Sequence, residues 1–181
     1  LEVIAEMVKA AGIPVECGGG LRRDEDLDAL LARGVSRAIL GTRALEHVDE
    51  LSVLVRKFGS RLAVGIDARD GFVQVKGWTE TSGTSAVELA RRAAAAGVQT
   101  IIYTDTATDG MLRGPNFDGN AQLCDAVGPA CQVIASGGIT TANDIVRLRA
   151  LKKSNLTGAI VGKALYEGRT SMAELLAAAQ A

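Results

Sequence analysis

The chain has 181 residues, enough for one folded domain with a full core, and 48% of them are apolar while only 3% are aromatic. Its formal net charge of -1 argues against a broad polyanion-binding surface, so we expect no nucleic-acid partner. No stretch approaches the roughly 20 apolar residues that cross a bilayer, and no secretory signal is visible, so we expect a cytoplasmic protein without a membrane partner.

The cysteines and the single histidine narrow the chemistry further. The three cysteines form no CxxC pair, which indicates thiols in a reducing compartment rather than disulfides. With only His47 available, a histidine-based metal site or a Ser-His-Asp triad is not expected. Acid–base chemistry therefore falls to carboxylates.

Short apolar runs alternate with amphipathic stretches, and no linker interrupts them, so we predict a single domain over residues 1–181. The apolar runs predict strands at 13–17, 36–40, 62–67, 99–104, 131–135 and 158–161. The amphipathic stretches predict helices at 1–11, 24–33, 47–58, 84–96, 117–127, 141–152 and 171–180. Strict alternation predicts an α/β protein with a parallel sheet, either doubly wound or a (β/α) barrel. Glycine clusters after several different strands favour the barrel, where every strand end faces one shared site.

Those glycine clusters belong to an internal repeat. VECGGGL at 15–21 corresponds to VIASGGI at 133–139, and AILGTRAL at 38–45 corresponds to AIVGKAL at 159–165. Glycine lets backbone N–H groups approach a phosphate closely, although one such turn alone could simply connect a strand to a helix. Two matched pairs predict a small-molecule substrate with a phosphate at each end. The residues predicted to bind its phosphates are Gly19, Gly20, Gly41, Thr42, Ser136, Gly137, Gly138, Gly162 and Lys163, the last of which supplies a charge or faces solvent.

Carboxylates follow two of the predicted strands. Asp67 closes an apolar strand, where a carboxyl at the mouth of a barrel is suited to general acid work, and the alternative is a cap for the following loop. Asp70, followed by glycine, indicates an ordinary turn. Thr104, Asp105 and Asp109 lie at or beyond the end of the fourth predicted strand, and Asp105 is either a second reacting carboxylate or a residue that holds the loop.

Two further side chains are candidates for ligand contacts. Trp78, the only tryptophan, lies in a segment, 71–83, that resembles a hairpin inserted between a strand and a helix. Its ring either stacks on a planar ligand as a lid or covers the base of its own loop. Arg22 follows the first glycine cluster, where it either makes a forked contact with a phosphate or carboxamide oxygen or starts a helix in solvent.

Taken together, the motifs resemble the phosphoribosylformimino-5-aminoimidazole carboxamide ribotide isomerase (HisA) family of histidine biosynthesis. The resemblance spans the whole chain and rests on ECGGGLR, AVGIDARDG, KGWTETSG, IIYTDTATDGMLRGPN, IASGGI and GAIVGKALYEG. It implies a (β/α)8 barrel of two similar halves and a substrate with a phosphoribose at each end. The implied reaction is an Amadori rearrangement of an aminoaldose to an aminoketose, with no cofactor and no metal.

Residue by residue, the resemblance implies specific roles. Asp67 is the general acid that protonates the ring oxygen. Thr104 is the site threonine after the family's sixth strand, and Asp109 is the loop aspartate nearby. Arg22 is the arginine after the family's glycine cluster, and Trp78 is the tryptophan of its mobile loop.

The chain also departs from the family pattern. The family's other catalytic aspartate, the base that takes the proton from C2, lies at the end of its first strand, and Leu1 corresponds to the second helix. We therefore expect about six β/α units with the first two strands missing, and self-association or a complementing N-terminal segment. By the same mapping Asp105 supports the loop rather than catalyses. The alternatives are the cyclase subunit of imidazole glycerol phosphate synthase, a dual-substrate phosphoribosyl isomerase, and a non-catalytic phosphate-binding fragment that needs a partner; Trp78 and GWTETSG favour the isomerase over the cyclase.

Overall fold

Six parallel strands lie in the sheet in the same order as in the sequence. The structure is a computed structural model that describes residues 2–75 and 77–180. Its parallel strands are β1 (Glu16–Gly18), β2 (Arg37–Leu40), β3 (Leu62–Arg69), β6 (Thr100–Asp105), β7 (Gln132–Ser136) and β8 (Leu156–Ala159). A doubly wound sheet would reverse its strand order at a switch point, whereas this sheet never reverses, so the winding is that of a barrel.

The predicted hairpin is also present. β4 (Phe72–Val75) pairs antiparallel with the end of β3, and β5 (Glu80–Ser85) pairs antiparallel with β4. Asp70 and Gly71 form the turn into it, both with positive φ, as an Asp-Gly hairpin turn requires. Because β5 extends to Ser85, the helix predicted over 84–96 begins at the next residue.

Nine helices accompany these strands in residues 2–75 and 77–180. They are α1 (Glu2–Ala11), α2 (Asp24–Leu31), α3 (Thr42–Glu46), α4 (Leu51–Phe58), α5 (Ala86–Ala95), α6 (Phe117–Val127), α7 (Ala142–Ala150), α8 (Lys163–Tyr166) and α9 (Met172–Gln180). The single helix predicted over 47–58 is instead a short 3-10 turn, Val48–Glu50, followed by α4. The sequence did not predict α3 and α8, since four or five residues are too few to show a helical period. None of the helices described is long and apolar enough to cross a membrane.

Most helices cover one face of the sheet, and small aliphatic residues fill the space between. Along β3, alternate residues belong to the main core, where Leu62, Val64 and Ile66 are at most 1% exposed and pack with Leu89 of α5. The residues between them, ending with Asp67, point to the opposite face. The low aromatic content is thus matched by a core of Leu, Val, Ile and Ala.

The internal repeat is visible in the backbone. Asp26 accepts hydrogen bonds at 2.9 and 3.1 Å from the N–H groups of the two residues before α2, and Asp144 accepts at 2.9 and 3.0 Å from the two before α7. Gly41 has φ -99° and ψ -108°, and Gly162 has φ -109° and ψ -96°. The two halves therefore share turn geometry as well as sequence.

The two matched aspartates differ in burial, which predicts unequal effects on stability. Asp144→Ala should lower the free energy of unfolding by about 1–2 kcal/mol, because two backbone N–H groups lose an acceptor that is itself buried. Asp26→Ala is the matched control and should cost less, because water can reach that turn. Chemical denaturation measures both, and equal losses would contradict a role for burial.

The contribution of Asp26 should also depend on pH. Hydrogen bonds from the backbone and side chain of Arg23 hold the pKa of the Asp26 carboxyl below its usual range. A lowered folded-state pKa stabilises the fold above the unfolded pKa of about 4, and that stabilisation disappears as the pH falls through the folded pKa. The stability difference between wild type and Asp26→Ala should therefore shrink below about pH 4.

Candidate active site

Asp67, Thr104 and Ser136 lie side by side near the carboxyl ends of three neighbouring strands. The strand register pairs Asp67 with Thr104, and Thr104 with Ser136. Paired residues of adjacent strands point to the same face, and this is the face opposite the main core. Thr104 and Ser136 are buried and Asp67 is half-buried, so one carboxylate and two hydroxyls form a continuous polar row.

Trp78 contacts the carboxylate of that row. Its indole Nε1 donates a hydrogen bond to Asp67 Oδ2 at 2.8 Å. The residue has φ 70° and its side chain is partly exposed, so the hairpin tip adopts an unfavourable left-handed backbone while it reaches over Asp67. The indole therefore lies directly on the candidate general acid.

A small cavity lies between the ends of β7 and β8 and the loop after β6, residues 106–116, which we call the β6 loop. Its volume of about 80 Å³ is far below that of pockets for drug-sized ligands, and suits a group the size of a phosphate. The predicted site residues that line it are Asp109, Ser136, Gly137, Gly138, Gly162 and Lys163. The structure therefore brings the predicted C-terminal phosphate residues together with the predicted loop aspartate.

The two glycines after β7 let the wall of this cavity pack closely against the β6 loop. Gly137 and Gly138 have φ of 92° and 80°, a region that side chains disfavour. A Cβ at Gly137 would clash with the carbonyl of Asp105, and one at Gly138 with the carbonyl of Gly114. Since Gly114 N–H also donates to Gly138 O at 3.0 Å, the β6 loop packs backbone to backbone against the β7 turn.

Asp105 takes no part in the polar row. It pairs with Ala68 in the register, so it points to the helix-covered face. There its Oδ2 accepts from Asn116 Nδ2 at 2.6 Å and its Oδ1 from Ala107 N–H at 2.9 Å. These are the contacts of a residue that holds the β6 loop. Asn116 also caps α6. The sequence analysis did not single it out, although an asparagine directly before a predicted helix is a typical helix cap.

The N-terminal candidates occupy a separate part of the same edge. Gly19, Gly20, Arg22, Gly41 and Thr42 follow β1 and β2. The glycines and the arginine are exposed, and Thr42 is half-buried. Because β1 and β8 are at opposite ends of the strand order, this set lies apart from the cavity. The central strands β3 and β6, which carry Asp67 and Thr104, separate the two glycine sets.

The charged groups do not suggest a metal centre in the part of the chain that the structure describes. No group of three His, Cys, Asp or Glu side chains in residues 2–75 and 77–180 is close enough to hold one ion.

Parallel strands in sequential order, with glycine turns and polar side chains at their carboxyl ends, define a protein of the β/α-barrel class. Within that class, the chain belongs to the histidine biosynthesis protein family, whose model matches residues 1–171. The family has the (β/α)8 barrel fold, to which this chain contributes six parallel strands in the described residues. The resemblance inferred from the motifs is therefore confirmed.

Relatives of this chain carry a specific name. This chain is 49% identical over 178 residues to a protein of Opitutus terrae, and the matched region covers 97% of this chain and 72% of that protein. It is 46% identical to a protein of Alkaliphilus metalliredigens, covering 97% of this chain and 72% of that one. A protein of Picosynechococcus is 47% identical, with 98% of this chain and 69% of the relative covered. All three are named 1-(5-phosphoribosyl)-5-((5-phosphoribosylamino)methylideneamino) imidazole-4-carboxamide isomerase.

The contact between Trp78 and Asp67 can be tested by fluorescence, because the chain has one tryptophan. Asp67→Ala should lower the steady-state anisotropy of Trp78 and shift its emission to the red, since the indole loses its acceptor and gains freedom. Asp70→Asn, a change in the adjacent turn that tolerates positive φ, is the matched control and should leave both signals unchanged. Identical spectra for all three proteins would show that the hydrogen bond does not hold the indole.

Proposed function

We propose that this chain is an aldose–ketose isomerase that acts on the substrate named for its relatives, through an Amadori rearrangement. The observation that carries the proposal is the position of Asp67, the single carboxylate of the polar row, between two matched sets of glycine turns. An elongated molecule with a phosphate at each end would span the two sets and present its middle to Asp67.

The proposed chemistry begins at the aminoaldose ring. Asp67 donates its proton to the ring oxygen, the C1–oxygen bond breaks, and the nitrogen lone pair forms the imine. A base then takes the C2 proton to give the enolamine, and protonation at C1 with loss of the enol O–H proton gives the aminoketose. Thr104, beside Asp67 in the register, would hydrogen-bond the reacting sugar. Asp109 on the β6 loop lines the small cavity and would therefore contact the end of the substrate that binds there.

Each phosphate has a proposed set of ligands. At one end the backbone N–H groups of the β7 turn, Ser136 Oγ and Lys163 Nζ would bind it in the small cavity. At the other end the proposed ligands are Gly19, Gly20, Gly41, Thr42 and Arg22. We propose that Trp78 moves from Asp67 to stack on the imidazole ring, because the carboxyl must be free to give up its proton.

A second candidate function is binding without turnover. The polar row contains one carboxylate, that of Asp67. The carboxylate of Asp105, at the end of β6, is instead hydrogen-bonded to Asn116 on the helix-covered face. Abstraction of the C2 proton needs a base as well as the acid. A chain that has the acid but no base would bind the bis-phosphate without isomerising it.

We also propose a cytoplasmic location. The three cysteines are free thiols, as the sequence predicted, and this is typical of a reducing compartment. Burial raises the pKa of Cys124 and Cys131 to about 11, so both stay protonated and unreactive at neutral pH.

Substrate turnover separates the candidates. The purified chain is offered the relatives' isomerase substrate, the cyclase substrate with ammonia, and phosphoribosyl-anthranilate. We expect turnover of the first alone, once a complementing N-terminal segment supplies the base. Turnover of the cyclase substrate alone would replace the isomerase proposal, turnover of the first and third would establish dual specificity, and binding without turnover would favour the second candidate.

Asp67→Asn tests the assigned acid. It should lower kcat by roughly 10²-fold or more, because an amide cannot donate the proton, while the Kd for the bis-phosphate changes little. Asp70→Asn, in the turn next to it, is the control and should turn over normally. Near-wild-type kcat for Asp67→Asn would remove Asp67 from the mechanism.

An apolar groove on the last strand supports a proposal about partners. In the described sheet β1 and β8 each pair with one neighbour, so each has an open edge. A groove of about 500 Å³ runs between α7, β8 and α9 and is lined by Leu148, Leu156, Met172, Leu175 and Leu176. We propose that a second copy of the chain covers it, since two open edges on a chain with a net charge of only -1 favour self-association.

Light scattering after gel filtration should therefore give a mass well above 18.8 kDa. Leu176→Glu, which places a charge in the groove, should return the chain to the monomer mass. Val53→Glu is the control, because Val53 is similarly exposed on α4, away from the groove. A monomeric wild type would overturn self-association and leave a complementing segment from another chain as the occupant.

A further inference from the structure

The ammonium group of Lys163 connects two parts of the chain that are far apart in sequence. Lys163 is the first residue of α8, directly after Gly162, and its Nζ donates to the carbonyl oxygen of Gly110 at 3.0 Å. Gly110 lies in the β6 loop, next to Asp109. The same Nζ lies 3.6 Å from Glu167 Oε1, one helical turn further on. The Lys163 side chain is 53% exposed, so these two contacts, rather than burial, orient its ammonium group.

This ammonium also belongs to the wall of the small cavity. Lys163, Gly110 and Asp109 line it together with the β7 glycine turn. An ammonium group has three N–H donors and no acceptor. With one donor on Gly110 O and one toward Glu167, the third can reach an anion in the cavity without releasing the loop.

The internal repeat shows that this arrangement belongs to the C-terminal half. In the first half, the residue directly after the matching glycine, Gly41, is Thr42, which has no charge. The cation beside it, Arg43, is directed away to Asp24, with Nη2 2.6 Å from Oδ1. The glycine turns are thus common to both halves, whereas a cation that joins a glycine turn to the β6 loop is an addition in one of them.

We propose that Lys163 is a positioning residue that couples phosphate binding in the cavity to the ordering of the β6 loop, and so to the placement of Asp109. The inference rests on the proposed function, in that the cavity must accept a phosphate. A bound phosphate fixes Nζ between its own oxygen and Gly110 O, so the loop is held more firmly when the substrate's phosphate is present. Glu167 opposes this effect, because its carboxylate competes for the same ammonium and repels the anion.

The test uses hydrogen exchange of the full chain with and without inorganic phosphate, with calorimetry for the phosphate Kd. In the wild type, phosphate should slow exchange across residues 107–113. Lys163→Met should abolish that protection, speed exchange of the loop in the absence of phosphate, and weaken phosphate binding about tenfold, as expected for loss of a charge-assisted hydrogen bond. Lys9→Met, which removes one exposed charge from α1, is the matched control and should behave as the wild type.

Glu167→Gln should act in the opposite direction. Removal of its charge should tighten phosphate binding severalfold while the protection of the β6 loop is kept. Because this variant keeps Lys163, it tests the coupling even if Lys163→Met were to disturb the fold of α8.

The outcomes separate this inference from the proposed function. Phosphate binding to the wild type without protection of residues 107–113, or equal protection in Lys163→Met, would overturn the coupling and leave the phosphate site in place. Absence of phosphate binding to the wild type, with turnover of the substrate intact, would overturn the coupling alone. Absence of both binding and turnover would overturn the proposed function as well.

Discussion

The register between β3, β6 and β7 is the constraint on which the candidate site depends. Parallel pairing in chain order puts all the strand ends on one edge of the sheet, and the register then decides which residues meet there. A shift of one residue would turn Asp67 and Thr104 toward the helices and bring Ala68 and Asp105 to the site face. The fully buried Leu62, whose side chain must stay in the core, opposes that shift.

Backbone contacts at the β7 turn fix the position of the β6 loop relative to the sheet. Gly137 and Gly138 let the turn approach Asp105 and Gly114 so closely that no side chain fits between them. The loop is further attached through Asn116 on Asp105 and through Lys163 on Gly110. A loop fixed at three points keeps Asp109 beside a cavity of phosphate size.

The duplication explains both the symmetry of the site and its differences. The two aspartates that cap α2 and α7, and the unusual backbone at Gly41 and Gly162, are common to both halves. Within the described residues, the hairpin with Trp78 follows β3 only, and a lysine bonded to the β6 loop follows β8 only. The repeated scaffold thus carries unequal additions in its two halves, which fits the asymmetric substrate that we propose.

Much of this could be determined from the sequence, because the signals are local. The alternation of apolar runs with amphipathic stretches predicted the six parallel strands, the Asp70-Gly71 pair predicted the hairpin turn, and the glycine repeat predicted the turns that line the cavity. The motifs identified the family. What the sequence left open was decided by contacts between distant residues: Trp78 lies on Asp67, Asp105 faces Asn116, and Lys163 holds Gly110 from 53 positions away. The short helices α3 and α8 each directly follow a glycine turn, and they are too short to show a helical period. Local periodicity contains no information about such pairs, because strand register and loop packing bring them together only once the whole sheet has formed.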